Sequence, residues 1–312
     1  MLEACTDIKL GEHWLVLVDN EGRSIWIGQI VMDIMTSMGI DVVLSIINPP
    51  ELEEAGEPPG AIAVAMKKVD AVLRIAEKNP HVHTDARKEA TAAGVRYYVM
   101  KDIPLDDLRQ GISSIDIQLI KERTENLAQR LSRTTVAHVT STGGTNIRFN
   151  LTNRAGIALH PMSHIVATLP DYAEAAIAPL EGTAEGVIVA DLAIIQWEYL
   201  FSEPLRCTVK GGKVVDIDGN LQDAERLRKI IATNENASNV AELGIGTSHI
   251  LPRAMRGNRR DCARIGTAHI AIGKNDDIGG KISSLVHLDF LMSNAMVELD
   301  GRCVLREGKL ML

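Results

Sequence analysis

Through the first third of the chain, short apolar runs alternate with segments whose apolar residues recur every three or four positions, the order of strands and helices in βαβ units. Trp14 to Val18 reads as a strand. Ile27, Ile30, Val31, Ile34, Met35 and Met38 then line one face of a helix that opens at Gly22 and closes at Gly39. Asp41 to Ile47 is the next strand, and the Pro49–Pro59 segment is a loop leading into a helix around Gly60 to Lys67. Val69 to Arg74 is a third strand. Thr84 or Asp85 caps a helix through Ala93, Gly94 ends it before a fourth strand, and Ile112 to Leu131 forms a closing helix.

From about Thr134 the pattern shortens to period two. Strands are expected over Val136–Ser141, Asn146–Leu151, Gly186–Ile195, Leu205–Lys210 and Val214–Ile217, with one amphipathic helix over Asp223–Ala232. The predicted architecture is α/β: an N-terminal doubly wound parallel-sheet domain over residues 1–133, then a C-terminal α+β domain over residues 134–312. A chain of 312 residues is long enough for two cores.

Composition narrows the function. A formal net charge of −8 argues against a nucleic-acid or anionic-membrane surface, and an aromatic content of 3% leaves little for a base-stacking platform. The basic cluster from Arg253 to Arg264 reads as a solvated loop. Cys5, Cys207, Cys262 and Cys303 lie far apart with no CxxC pair, so a reducing cytoplasm is the expected setting, and no stretch is long and apolar enough to span a membrane. No GxGxxG or GxxxxGK[ST] stands at a strand-to-helix turn, so nucleotide binding is unsupported. A small molecule or peptide remains as substrate.

The chemistry-bearing residues fall in the second half. His287 and Asp289, two apart on an expected strand, point to the same side, where an imidazole and a carboxylate suit either a structural pair or a divalent metal. His269 sits within the Gly-bounded apolar run GTAHIAIG, and Glu242 within AELGIG. Glu174, in DYAEAAIAP, is a third charged intrusion into apolar sequence. An unpaired buried carboxylate is costly, so each needs a counter-charge, from a metal or from an arginine such as Arg148 or Arg154. Glu181 and Glu185 are candidate supports around such a site. His160, His164, His81 and His83 have structural readings, as core, capping or surface groups, besides a place at a substrate mouth.

The succession of Glu174, Glu242, His269 and the His287-Leu288-Asp289 triplet followed by an Asp-Gly turn resembles the C-terminal domain of the aminopeptidase T family. HTDARKEATAAGVR and TSTGGTNIRFNLTNR resemble further elements of that family, which is related to the 2,5-dihydroxypyridine dioxygenases. The resemblance implies two divalent ions, zinc, cobalt or manganese, held by Glu174, Glu242, His269, His287 and Asp289. It also implies a homodimer. The family's catalytic tyrosine falls where this chain has Asp276, and a glutamate ahead of the His269 position is matched by Arg264. Asp276, Arg264 or His249 are therefore the candidate proton shuttle or oxyanion partner.

Three functions follow as expectations. The first is a metal-dependent hydrolase of an amide or peptide-like bond, with a metal-bound hydroxide as nucleophile. The second is a mononuclear iron(II) ring-cleaving dioxygenase using His269, His287 and Asp289, a family pattern that carries a histidine where this chain has Glu242. The third is a non-catalytic binding module of the same fold.

Overall fold

The computed structural model describes residues 2–48, 56–77, 81–82, 84–101, 114–163, 166–251 and 254–312. Two compact units emerge: Met1–Gln118 with His160–Tyr172, and Leu119–Leu159 with Ala173–Leu312.

The first unit is built on a five-stranded parallel sheet. Its strands lie in the order Asp41–Ile47, His13–Asp19, Ala71–Ala76, Arg96–Lys101 and Val166–Thr168. Alternation along the strands gives the sheet two apolar faces. Trp14, Val16, Val18, Leu73, Ile75 and Tyr98 pack on the helix Gly22–Ser37, while Leu15, Val72, Tyr97 and Val99 pack on the helices Gly60–Met66 and Asp85–Ala92. Helices on both faces make the sheet doubly wound, as the sequence predicts. Thr84 caps the helix Asp85–Ala92 by accepting from the Arg87 amide. The third strand runs two residues later than its apolar pattern suggests, which places Arg74 inside it and fully buried.

In the second unit two antiparallel sheets face one another across a single apolar core. The larger has eight strands and the smaller six, in the order Ala193–Ile194, His287–Met292, Ala268–Gly273, Val240–Gly246, Glu174–Ile177 and Ile157–Leu159. Period-two alternation divides the smaller sheet, interrupted by one register shift between Val240 and Glu242 that puts Val240 in the core and Glu242 on the other face. Ala175, Ile177, Leu243, Ile245, Ala268, Ile270, Ile272, Leu288, Phe290 and Met292 enter the core, so Glu174, Glu242, His269, His287 and Asp289 belong to the opposite face.

The strand expected over Gly186–Ile195 breaks at Asp191 and Leu192 into Glu185–Ala190 and Ala193–Ile194, followed by a 3-10 turn over Ile195–Trp197. Asp191 accepts from the Ser293 amide at 2.7 Å, which turns the chain from one sheet to the other. The basic cluster is also not a solvated loop. Arg259–Ala263 is a short helix, Arg260 and Arg264 are each 8% exposed, and Arg264 is held by Asp261 at 2.8 Å. Arg253 lies outside the described residues. No described helix is long and apolar enough to cross a membrane.

Candidate metal centre

Strand register brings the five donors together. Gly244 pairs with His269, Gly246 with Glu174, Ala271 with both Glu242 and Asp289, and Gly273 with His287. Small residues thus surround the large polar ones on this face. The space they leave is what the imidazoles and carboxylates fill.

Glu242 occupies the middle. Its Oε1 lies 3.8 Å from His269 Nε2, and its Oε2 lies 3.0 Å from His287 Nε2. His269 Nε2 is also 3.8 Å from Glu174 Oε2 and 3.9 Å from Asp289 Oδ1, and His287 Nε2 is 3.2 Å from Asp289 Oδ1. Two donor groups result, Glu174–Glu242–His269 and Glu242–His287–Asp289, each with its ligand atoms within 4.8 Å of one another. Glu242 is common to both.

Supporting contacts fix the orientation of these side chains. His287 Nδ1 lies 2.8 Å from the Lys274 carbonyl, which can only accept, so Nδ1 carries the proton. In the neutral ring the Nε2 lone pair then faces the Glu242 and Asp289 carboxylates. That arrangement is favourable only with a proton or a cation between them. Gln196 clamps Asp289 from two sides: its Nε2 donates to Oδ2, and its Oε1 accepts from the Asp289 amide, both at 2.9 Å. Asp289 Oδ1 is left over.

The residues fit a metal. Glu174 Oε2, Asp289 Oδ1 and His269 Nδ1 are buried polar atoms without a hydrogen-bond partner among the described residues. The two carboxylate oxygens are orphaned buried acceptors, costly unless something absent from the chain satisfies them. Donors bound at about 2.0–2.1 Å to one tetrahedral ion stand roughly 3–3.5 Å apart. The His287 spacings of 3.0 and 3.2 Å match this, and those of His269 need to close by a few tenths of an ångström. The donor set is that of a divalent-metal site.

Burial pushes the Glu174 carboxyl up to about 7; His269 opposes the shift, and the Glu242 and Asp289 carboxylates add to it. Burial also disfavours the Glu242 and Asp289 carboxylates, but the neighbouring imidazoles outweigh it and hold both below the usual carboxylate range. For His269 and His287 burial opposes the charged form, and the surrounding acidic groups overcome it and raise both well above an ordinary imidazole. Glu174 and the two imidazoles here hold protons where a cation would stand.

The other expected residues lie as follows. Asp276 is exposed, 3.6 Å from Lys274 Nζ. Arg264 donates to the Ala254 carbonyl and to Asp261, while its Nε and Nη1 are buried without a hydrogen-bond partner among the described residues. His249 Nδ1 is 3.2 Å from Arg123 Nη1. Arg154, a proposed counter-charge for the buried acids, instead binds Glu181, which also accepts from Asn275 and the Lys281 amide. Arg148 pairs in register with Glu185, whose side chain accepts from the Gly211 amide. His160 Nδ1 accepts from the Met162 amide, and buried His81 accepts from Arg74 Nε. His164 and His83 lie outside the described residues. Gln196, Cys262 beside His269, and Arg259 beside Glu174 are neighbours of the centre that the sequence pattern does not single out.

A family model, NicX, described as 2,5-dihydroxypyridine 5,6-dioxygenase, matches residues 50–312. Among solved structures, 2,5-dihydroxypyridine dioxygenase from Pseudomonas putida KT2440 superposes with a TM-score of 0.78 at 18% identity, covering 96% of this chain and 92% of that one. Wild-type AmpT from Thermus thermophilus superposes with a TM-score of 0.67 at 16% identity, covering 98% and 96%. No curated protein sequence matches the chain. The fold is therefore shared with both relatives the sequence resembles.

Proposed function

The chain belongs to the NicX family, that of 2,5-dihydroxypyridine 5,6-dioxygenase, and on that scaffold we propose that it is a dinuclear metal-dependent hydrolase of an amide or peptide-like bond. The observation that carries this reading is the position of Glu242, whose two oxygens face two different imidazoles and join two donor groups. A carboxylate so placed is suited to bridge two cations. Glu174 and His269 would hold one and His287 and Asp289 the other. When bound, such a pair supplies Lewis-acid polarisation of a carbonyl and acidifies water to a pKa of about 7.

The chain's own residues do the rest. Lys274 and Gln196 orient His287 and Asp289, so the donors are set before a cation arrives. Apolar strands beneath the face and the burial of Glu174, Glu242 and His269 exclude water from the donors. Asp276, exposed to solvent, is assigned proton exchange with bulk water, and the two unpaired buried donor atoms of Arg264 are assigned compensation of negative charge.

The family model's description suggests a second reading, oxygen-dependent ring cleavage, for which His269, His287 and Asp289 would hold a single iron(II). The two readings differ in metal count. Elemental mass spectrometry on anaerobically purified protein, beside His287→Ala and Asp289→Ala variants, should return close to two equivalents of zinc, cobalt or manganese, lost in the variants, with release of amine from aminoacyl amides. One equivalent of iron with oxygen uptake on a dihydroxylated aromatic ring would replace the hydrolase by the dioxygenase.

A further inference from the structure

We propose that Cys262 places its sulfur on the cation held at His269 and so selects a thiophilic metal there. This rests on the reading of the site as a metal centre. Cys262 Sγ, a ring nitrogen of His269 and a carboxylate oxygen of Asp289 all lie within 4.8 Å of one another, a third donor group that overlaps the two already described. The thiol is 1% exposed and His269 is 2% exposed.

The second observation is an orphaned atom. Asp289 Oδ1, from a residue that shares this group with Cys262, is a buried polar atom with no hydrogen-bond partner among the described residues. A buried cysteine against apolar atoms would be an ordinary small hydrophobe. Here it stands instead beside the His269 imidazole and an unpartnered carboxylate oxygen of Asp289.

The local chain holds it there. Cys262 lies in the helix Arg259–Ala263, whose start is closed by a reciprocal cap between Asn258 and Asp261. Asp261 further accepts from the amides of Arg256 and Gly257 at 2.7 Å, and the Thr267 hydroxyl donates to the Cys262 carbonyl at 2.9 Å. The backbone around Cys262 is therefore fixed independently of any metal. Coordination would release the thiol proton to solvent, and a soft sulfur among oxygen and nitrogen donors favours zinc, cobalt or cadmium over manganese or magnesium.

Cobalt(II) titration of the metal-free full-length chain tests this. The wild type should develop a near-ultraviolet sulfur-to-cobalt charge-transfer band together with visible ligand-field bands. Cys262→Ser should keep the visible bands and lose the near-ultraviolet one. A second measurement guards against a poorly folded variant: cadmium affinity should fall about tenfold or more in Cys262→Ser while manganese affinity stays level. Visible bands without a charge-transfer band in the wild type, or a charge-transfer band that survives Cys262→Ser, would overturn the role of Cys262 and leave the metal centre standing. Absence of any bound cobalt would overturn both.

Discussion

Gly244 lies directly across the sheet from His269, and a methyl group added to it would stand 2.0 Å from His269 Cε1 and 2.3 Å from Nε2. No hydrogen bond demands this glycine; the constraint is one of volume. The imidazole occupies the space that any side chain at 244 would take.

Gly244→Ala should therefore displace the ring while leaving the strand pairing intact. Overpacking of a tight site costs about 1–3 kcal/mol, so a modest fall in stability is expected. The larger effect is on the ion at His269, because a displaced Nε2 cannot face Glu174 and Glu242 together. Metal content by elemental mass spectrometry should drop by about one equivalent. Retention of the full complement with unchanged affinity would show that His269 is not a ligand.

Gln196→Ala removes the amide that grips Asp289 at both its backbone and its Oδ2. Loss of such a supporting contact at a metal site typically costs about 10–100-fold in metal affinity. Competition with a chromophoric chelator should show a fall of that order, and Gln196→Glu should also weaken binding because a carboxylate cannot donate to Asp289 Oδ2. An affinity unchanged in both variants would reduce Gln196 to a packing role.

Gln196 also marks where the sequence stops being readable. Glu174, Glu242, His269, His287 and Asp289 stand out because each is a polar residue in an apolar run, and strand parity alone puts His287 and Asp289 on one side. The parallel strands of the first unit are legible for the same reason, as continuous apolar runs between helices. Gln196 follows an apolar stretch that reads as one strand through Ile195. The Asp191–Ser293 contact, between residues about a hundred apart in sequence, stands where that strand breaks and the chain turns to bring the glutamine onto Asp289. Cys262 is hidden differently: with no CxxC spacing it carries no local signal, and its neighbour His269 is brought to it by folding. Arg260 and Arg264 read as solvated because charge in a loop usually is, while Asp261 and the Ala254 carbonyl allow Arg264 to be buried.

The titration of the centre predicts a pH dependence that metal should abolish. Glu174 is pushed from 4.5 to about 7, chiefly by burial, and both imidazoles are raised above their ordinary 6.5. Without metal the native state then binds more protons near neutrality than the unfolded chain. Stability from Glu174 is fully present below about 4.5 and is lost as pH rises through about 7; that from the imidazoles is present below 6.5 and is lost at higher pH. Glu242 and Asp289, held low, act at the other end: their contribution is lost as pH falls below the ordinary carboxylate range. The Tm of chelator-treated protein should fall between about pH 6 and pH 8, whereas the metal-loaded protein should show no such fall. A parallel pH profile in both forms would mean that protons and metal do not compete for these side chains.

Arg74 makes a last and separate prediction, on the first unit. Its guanidinium is fully buried inside a parallel strand, bound to Asp19 at the end of the neighbouring strand, to the Ile75 carbonyl at 2.8 Å, and to His81 Nδ1 at 3.0 Å. Because Arg74 donates to it, His81 must present an unprotonated Nδ1, and burial together with the Arg74 charge lowers the imidazole to about 4. His81 is therefore neutral at physiological pH, and Asp19 supplies the compensating carboxylate. Removing one partner of a buried ion pair costs roughly 3–5 kcal/mol, because the other charge is stranded. Asp19→Ala should lower the denaturation midpoint accordingly, while Arg74→Met with Asp19→Asn, which removes both charges, should recover much of the loss. Metal content should stay at the wild-type value in both, since all five donors belong to the second unit. A loss of metal in Asp19→Ala at a temperature where the protein remains folded would show that the two units are coupled.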